Sequence, residues 1–253
     1  MKFVVMALAA LVSCLPPAAA APVVAAASDL QFALPEVAER FHAKTGRQVR
    51  VALGSSGNLR QQIAHGAPFA LFMSADEAFV FAIAREGRAL DEGVLYAIGR
   101  IALFVPQGSP VSLDADLKGL AAALTAGSVR RFAIANPEHA PYGRAAREAL
   151  INTHLWEAIS PRLVLGENVS QAAQFITSGN AQAGIIAYSL ALAPAVTARG
   201  RHILIPERHH APLRQRMALL KGADDTARAF YAFLQGSEAR EILKRWGFLL
   251  PGE

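Results

Sequence analysis

Cysteine is almost missing from this chain of 253 residues, and Cys14 is the only one. No disulfide framework can form, and the chain beyond residue 14 holds no thiol nucleophile. Charge is scarce as well. Only 18% of residues are charged, against 53% apolar, which excludes a disordered polar chain and provides for a large core. The net charge of +5 comes from Lys and Arg scattered along the sequence without an aromatic or motif companion. That pattern reads as a solvated basic surface and gives no support for a nucleic-acid partner. The excess favours the approach of anions weakly. No apolar run is long enough to span a bilayer. The seven histidines form no metal-ligand spacing. No Ser–His–Asp or paired-carboxylate pattern is evident, and Gly54-Ser55-Ser56-Gly57 lacks the spacing of a nucleophile elbow.

The amino terminus reads as an export signal over residues 1–21. Lys2 supplies the positive start, residues 3–12 the apolar stretch, and residues 18–21 the small side chains for cleavage. Leu11-Val12-Ser13-Cys14 offers a second reading, a lipoprotein cleavage box with Cys14 as the lipid anchor. Release as a soluble periplasmic protein is the expectation, because an Ala-rich site follows the short apolar stretch.

Beyond the leader, short apolar strands alternate with helical periodicity. Strands are expected at 23–27, 49–53, 70–74, 101–105, 132–135, 163–165, 184–187, 203–205 and 217–220. Leu30, Leu34, Val37 and Phe41 recur at helical spacing and are closed by Gly46, with Pro35 demanding a later start or a kink. This alternation predicts an α/β chain with mostly parallel sheets. Nine strands fit two lobes better than one: residues 22–101 with 214–253, and residues 102–213. The crossings would lie near 100–101 and 210–214.

Two strand ends carry hydroxyls. Ala25-Ala26-Ala27-Ser28-Asp29 and Gly54-Ser55-Ser56-Gly57 both read as strand-to-helix turns. A Ser at such a turn is most often a cap. It can equally aim a hydroxyl and free N–H groups at an anion. His139 in Pro137-Glu138-His139 reads as ordering its loop, Arg144 and Arg147 as solvent-facing, and His209-His210 as a solvated loop or hinge.

A family resemblance joins these pieces. Ser28 and Ser56 sit in the motifs just quoted, followed by Leu59, Gln62, Ile63 and Gly66-Ala67-Pro68. Then come Leu71-Phe72-Met73-Ser74-Ala75-Asp76, Pro137-Glu138-His139 with Pro141 and Gly143, Ser160-Pro161, and Lys244-Arg245-Trp246-Gly247-Phe248. In their order the chain resembles the periplasmic molybdate-binding proteins, the receptors of molybdate ABC transporters. Phe69-Ala70 stands where the family usually has Ala-Asp.

The resemblance implies a two-lobed periplasmic binding protein fold, each lobe a mostly parallel sheet flanked by helices and joined by crossover strands. The ligand, molybdate or tungstate, would lie between the lobes. It implies hydroxyl and amide contacts at Ser28 and Ser56, and backbone amides at Tyr142 and Val169. The family's tyrosine hydroxyl would fall at Ala187, one place before Tyr188, so Tyr188 is expected to be mainly structural. The resemblance implies a membrane permease as partner, a monomer, no catalysis, and no cofactor or metal beyond the oxyanion. The set is expected to be donor-only, which suits a fully ionised oxyanion. Two other readings stand beside it: a receptor for another oxyanion or a small organic acid, and an exported enzyme on the same scaffold.

Overall fold

A run of small apolar residues, Val23–Ala27, forms the first strand (β1), because Val, Ala and Ala pack on both sides of a pleated sheet without crowding it. The computed structural model describes residues 20–252, so Cys14 and nearly all of the expected signal lie outside the described residues. After β1 comes a 3-10 turn, Ser28–Leu30, and then α1, Ala33–Thr45. Pro35 is thus the third residue of a helix that starts late, where its missing N–H costs nothing. Gly46, at φ +70°, closes α1 in the left-handed conformation.

The chain continues through β2 (Arg50–Gly54), α2 (Ser56–Ala64), β3 (Leu71–Ser74), α3 (Glu77–Arg85) and β4 (Val94–Gly99). Next follow β5 (Ile101–Pro106), α4 (Lys118–Thr125), β6 (Phe132–Ala135), α5 (Pro141–Asn152), α6 (Trp156–Ile159) and β7 (Leu163–Gly166). Then come α7 (Val169–Thr177), β8 (Ala183–Ala187), α8 (Tyr188–Ala191), α9 (Pro194–Thr197) and β9 (Gly200–Leu204). The described chain ends with β10 (Leu213–Leu219), α10 (Asp225–Leu234) and α11 (Ser237–Arg245).

These strands make two five-stranded sheets of the same design, β2-β1-β3-β10-β4 and β7-β6-β8-β5-β9. In each, four strands point one way and one is reversed: β10 in the first sheet, β5 in the second. The reversed strands are the two that have just arrived from the other lobe. The chain changes sheet between Gly99 and Ile101, and returns between Leu204 and Leu213 through a 3-10 turn at Glu207–His209. β4 was not among the nine strands expected. Its glycine end and mixed side chains hide a strand that lies at the sheet edge. His210, expected in solvent, is buried, with Nδ1 on the carbonyl of Ala211 at 2.8 Å.

The first sheet is covered on both faces. Val24 and Ala26 of β1 face a core shared with Leu34, Phe41, Phe230 and Leu243, from α1, α10 and α11. Ala25, between them, faces Leu59, Ile63, Val80 and Ile83 of α2 and α3. This alternation is the period-two geometry of a strand, and it explains why β1 is apolar at every position. The second sheet has one large core around Phe104, Phe132, Ile134 and Ile186. Both sheets end their β1/β2 and β6/β7 turns toward the junction of the lobes, where α2, α5 and α7 begin.

Candidate functional site

A small, tightly closed cavity lies at that junction. It is lined by the end of β1 with its 3-10 turn (Ser28, Asp29), by Ser55 and Ser56, by Pro141 and Tyr142, and by Val169. Ser28 and Ser56, from the first lobe, are thus brought together with Tyr142 and Val169 of the second. Ser56 and Val169 are the first residues of α2 and α7, and Tyr142 is the second of α5. Backbone N–H groups at these positions have no partner within their own helix, and each helix start carries about half a positive charge. Pro141 at the start of α5 presets the helical φ with no N–H of its own.

The two serine hydroxyls are aimed by what they accept. Ser56 Oγ accepts the N–H of Ala75 at 2.9 Å, and Ser28 Oγ accepts the N–H of Ser170 at 3.4 Å. Each hydroxyl keeps its own proton to donate. The α2 and 3-10 turns record no side-chain cap from these residues, so they are not plain caps. No Lys, Arg or His lines the cavity.

One lining residue departs from the donor-only expectation. Asp29 is 1% exposed and carries a carboxylate. Its Oδ2 accepts from Tyr142 Oη at 2.9 Å and from Gln215 Nε2 at 2.6 Å. Gln215 Oε1 in turn accepts from Tyr96 Oη at 2.6 Å. Ser189 Oγ donates to the Asp29 carbonyl at 2.7 Å. Oδ1 has no hydrogen-bond partner. Burial raises the Asp29 pKa from 3.8 to about 6, against the pull of Gln215, Tyr142 and the nearby backbone amides. Burial, then the Asp29 charge, pushes Tyr142 well above the ordinary phenol range, so it stays an O–H donor. Gly99 makes room for this cluster. A Cβ there would lie 2.3 Å from Tyr142 Oη and 2.6 Å from Gln215 Nε2.

Contacts across the mouth hold the lobes together. Gly57 N–H donates to the His139 carbonyl at 3.0 Å, and Ser55 Oγ meets His139 Nδ1 at 2.9 Å. Asn58 bonds Glu167, and Arg144 pairs with Asp76. His139 therefore ties its loop to the opposite lobe, and Arg144, expected in solvent, bridges the cleft. Sequence reading could not find these pairs, because their partners lie 68 to 109 residues away.

Tyr188 does not line the cavity. It opens α8, and its ring packs under the Arg100 guanidinium at 4.7 Å and against His202 at 5.7 Å. Gly247 leaves space for it, since a Cβ there would meet the ring at 2.6 Å. Among the described residues, no group of three His, Cys, Asp or Glu side chains is placed to hold a metal ion. No helix among them is long and apolar enough to cross a membrane.

Two α/β lobes closed over a small cavity at their junction define a two-lobed binding protein. The chain belongs to the bacterial extracellular solute-binding protein family, whose description matches residues 22–249. It is 36% identical to the molybdate-binding protein ModA of Rhodobacter capsulatus over 92% of this chain and 90% of that one. It is 32% identical to the ModA of Azotobacter vinelandii, over 89% and 88% of the two chains. The solved periplasmic molybdate-binding protein of A. vinelandii superposes with a TM-score of 0.82 at 31% identity, covering 91% of this chain and 99% of that one.

The Asp29 environment generates a stability test. Its pKa is higher in the folded chain than in the unfolded one, so its contribution is fully present below about pH 3.8 and is lost as pH rises through about 6. That gap corresponds to roughly 3 kcal/mol. Urea unfolding of the ligand-free protein at about pH 4 and pH 7.5 should show Asp29→Asn gaining on wild type by up to roughly that amount at the higher pH. An equal difference at both pH values would place the carboxyl in contact with water.

Proposed function

We propose that this chain binds molybdate, and tungstate with it, in the interlobe cavity outside the cytoplasmic membrane and delivers it to the permease of an ABC transporter. The observation that carries this reading is the cavity itself. It is small, free of cations, and placed where the first turns of α2, α5 and α7 converge. Such a site favours a compact anion that needs many donors and no counter-ion. The molybdate-binding relatives, matched over nearly their whole length, support the choice of anion. Tungstate follows because its size and charge are close to those of molybdate. Ser28 and Ser56 would give hydroxyl and amide donors, and Tyr142 and Val169 their backbone N–H groups. Tyr188 would give none, because it packs elsewhere. The protein would work as a monomer, its signal of residues 1–21 removed, and would carry out no reaction of its own.

Titration calorimetry with molybdate, tungstate, sulfate and phosphate tests the ligand. Molybdate and tungstate should bind tightly and sulfate weakly, since donors spaced for a large anion leave a smaller one out of reach. Equal or tighter sulfate binding would overturn the assignment. Ser28→Ala and Ser56→Ala should each weaken molybdate roughly tenfold to a hundredfold, the worth of one hydrogen bond to a charged group.

Closure has its own probe. A Cβ on Gly57 would sit 2.6 Å from the His139 carbonyl oxygen and 2.9 Å from its Cβ. Gly57→Ala should therefore keep the ligand-saturated protein more open. Solution scattering should give it a larger radius of gyration than wild type, with molybdate affinity reduced by about tenfold or more. An unchanged radius would show that the lobes meet differently when loaded.

Tyr188→Phe should leave molybdate affinity nearly unchanged, because the ring and not the hydroxyl does the packing against Arg100 and His202. A loss of about tenfold in calorimetry would place the hydroxyl on the ligand.

A further inference from the structure

Asp29 is the residue that the proposed ligand reading leaves unexplained. A dianion and an ionised carboxylate in one closed cavity repel each other with little water to screen them. Nature of the neighbours decides how the conflict is resolved. Oδ2 is occupied by two donors, Tyr142 Oη and Gln215 Nε2. Oδ1 is buried, without a partner, on a residue that lines the cavity. A buried acceptor left empty is costly, whereas the same atom bearing a proton becomes a donor.

Besides these donors, the backbone amides of Asp29 and Leu30 favour the charged carboxyl, but burial outweighs them and the side chains around it carry no charge. Tyr142 from α5 and Tyr96 from β4 face it as neutral phenols. Gln215 from β10 and Ser189 from α8 are uncharged, and so are Ser170 at the start of α7 and Ser56 at the start of α2. No cation compensates the carboxylate, and burial is the largest influence on it.

We propose that Asp29 takes up a proton when the oxyanion enters, holds it on Oδ1, and donates it to a ligand oxygen as a specificity-determining member of the binding site. This rests on the oxyanion reading of the cavity. The proton comes from solvent and stays on the carboxyl, so the ligand remains a fully ionised dianion. Every polar group meeting the anion is then a donor, and the expectation of a donor-only site is restored by protonation. Two consequences follow. Binding is linked to one proton, and affinity falls by about tenfold per pH unit once the free carboxyl is ionised. An anion that carries its own proton gains no acceptor here, because Oδ1 is spent as a donor.

Calorimetry with sodium molybdate on the mature full-length protein, in buffers of different protonation enthalpy, counts the protons directly. Between about pH 6 and pH 9, wild type should take up close to one proton per anion at the alkaline end, with affinity falling along the slope just given. Asp29→Asn keeps a donor at this place and removes the titration. It should bind with no proton uptake, with affinity flat in pH, and at least as tightly as wild type near pH 8. Tight molybdate binding by wild type with no proton uptake would overturn the role of Asp29 and leave the ligand reading standing. So would a folded Asp29→Asn that loses binding while wild type retains it, since the carboxylate would then be an acceptor. Absence of molybdate binding by wild type at every pH would overturn the ligand reading, and this proposal with it. The proton count on wild type stands by itself if the variant fails to fold.

Discussion

Donor groups that must be buried without partners of their own set the terms for this molecule. The first turns of α2, α5 and α7, whose leading N–H groups have no acceptor within their own helices, line a cavity closed over by two lobes. Buried N–H groups without acceptors are costly, so the closed form has to offer them something. Part of the answer is internal: Ser170 of α7 donates to Ser28, and Gly57 of α2 donates to His139. The rest is the demand that a bound oxyanion meets. Closure and ligand recognition are in this sense one requirement, because the contacts that seal the mouth also remove the water that would otherwise satisfy the donors.

Much of the fold was legible because it follows local rules. Gly46 closes α1 at a left-handed φ, Pro35 delays the start of that helix, and the apolar runs at β1, β3, β6 and β8 are buried as strands. Periodicity and turn chemistry act over a few residues, and a sequence displays them directly. β4 escaped because it is an edge strand ending in a glycine whose purpose lies elsewhere. Gly99 is small to admit Tyr142 and Gln215, residues 43 and 116 positions further along.

The site was legible in outline for a different reason. Hydroxyls after short strands and a proline before Tyr142 mark helix starts, and helix starts are where N–H groups are free. The cross-lobe pairs carry no such mark. Arg144 with Asp76, and His139 with Ser55, join polar residues that look solvated when read alone. Asp29 was visible beside Ser28, yet nothing in the sequence tells whether an acid next to a turn faces water or a sealed cavity. Only the positions of Tyr142, Gln215 and Ser189 decide it.

The reversed strand in each sheet has a consequence for the order of assembly. The second sheet is built from one unbroken stretch, β5 to β9, and all its pairings can form among residues 101–204. The first sheet cannot be completed that way. β10 pairs with both β3 and β4, joining residues more than 110 positions apart. A chain emerging amino terminus first would hold β1 to β3 as an unfinished half-sheet, with an open edge on β3 and β4 without its partner strand, until residue 219 appeared. Such late, distant closure is slow and leaves apolar strand surface exposed meanwhile. The second lobe, though later in sequence, is the one able to mature first and to serve as the platform on which the first is finished.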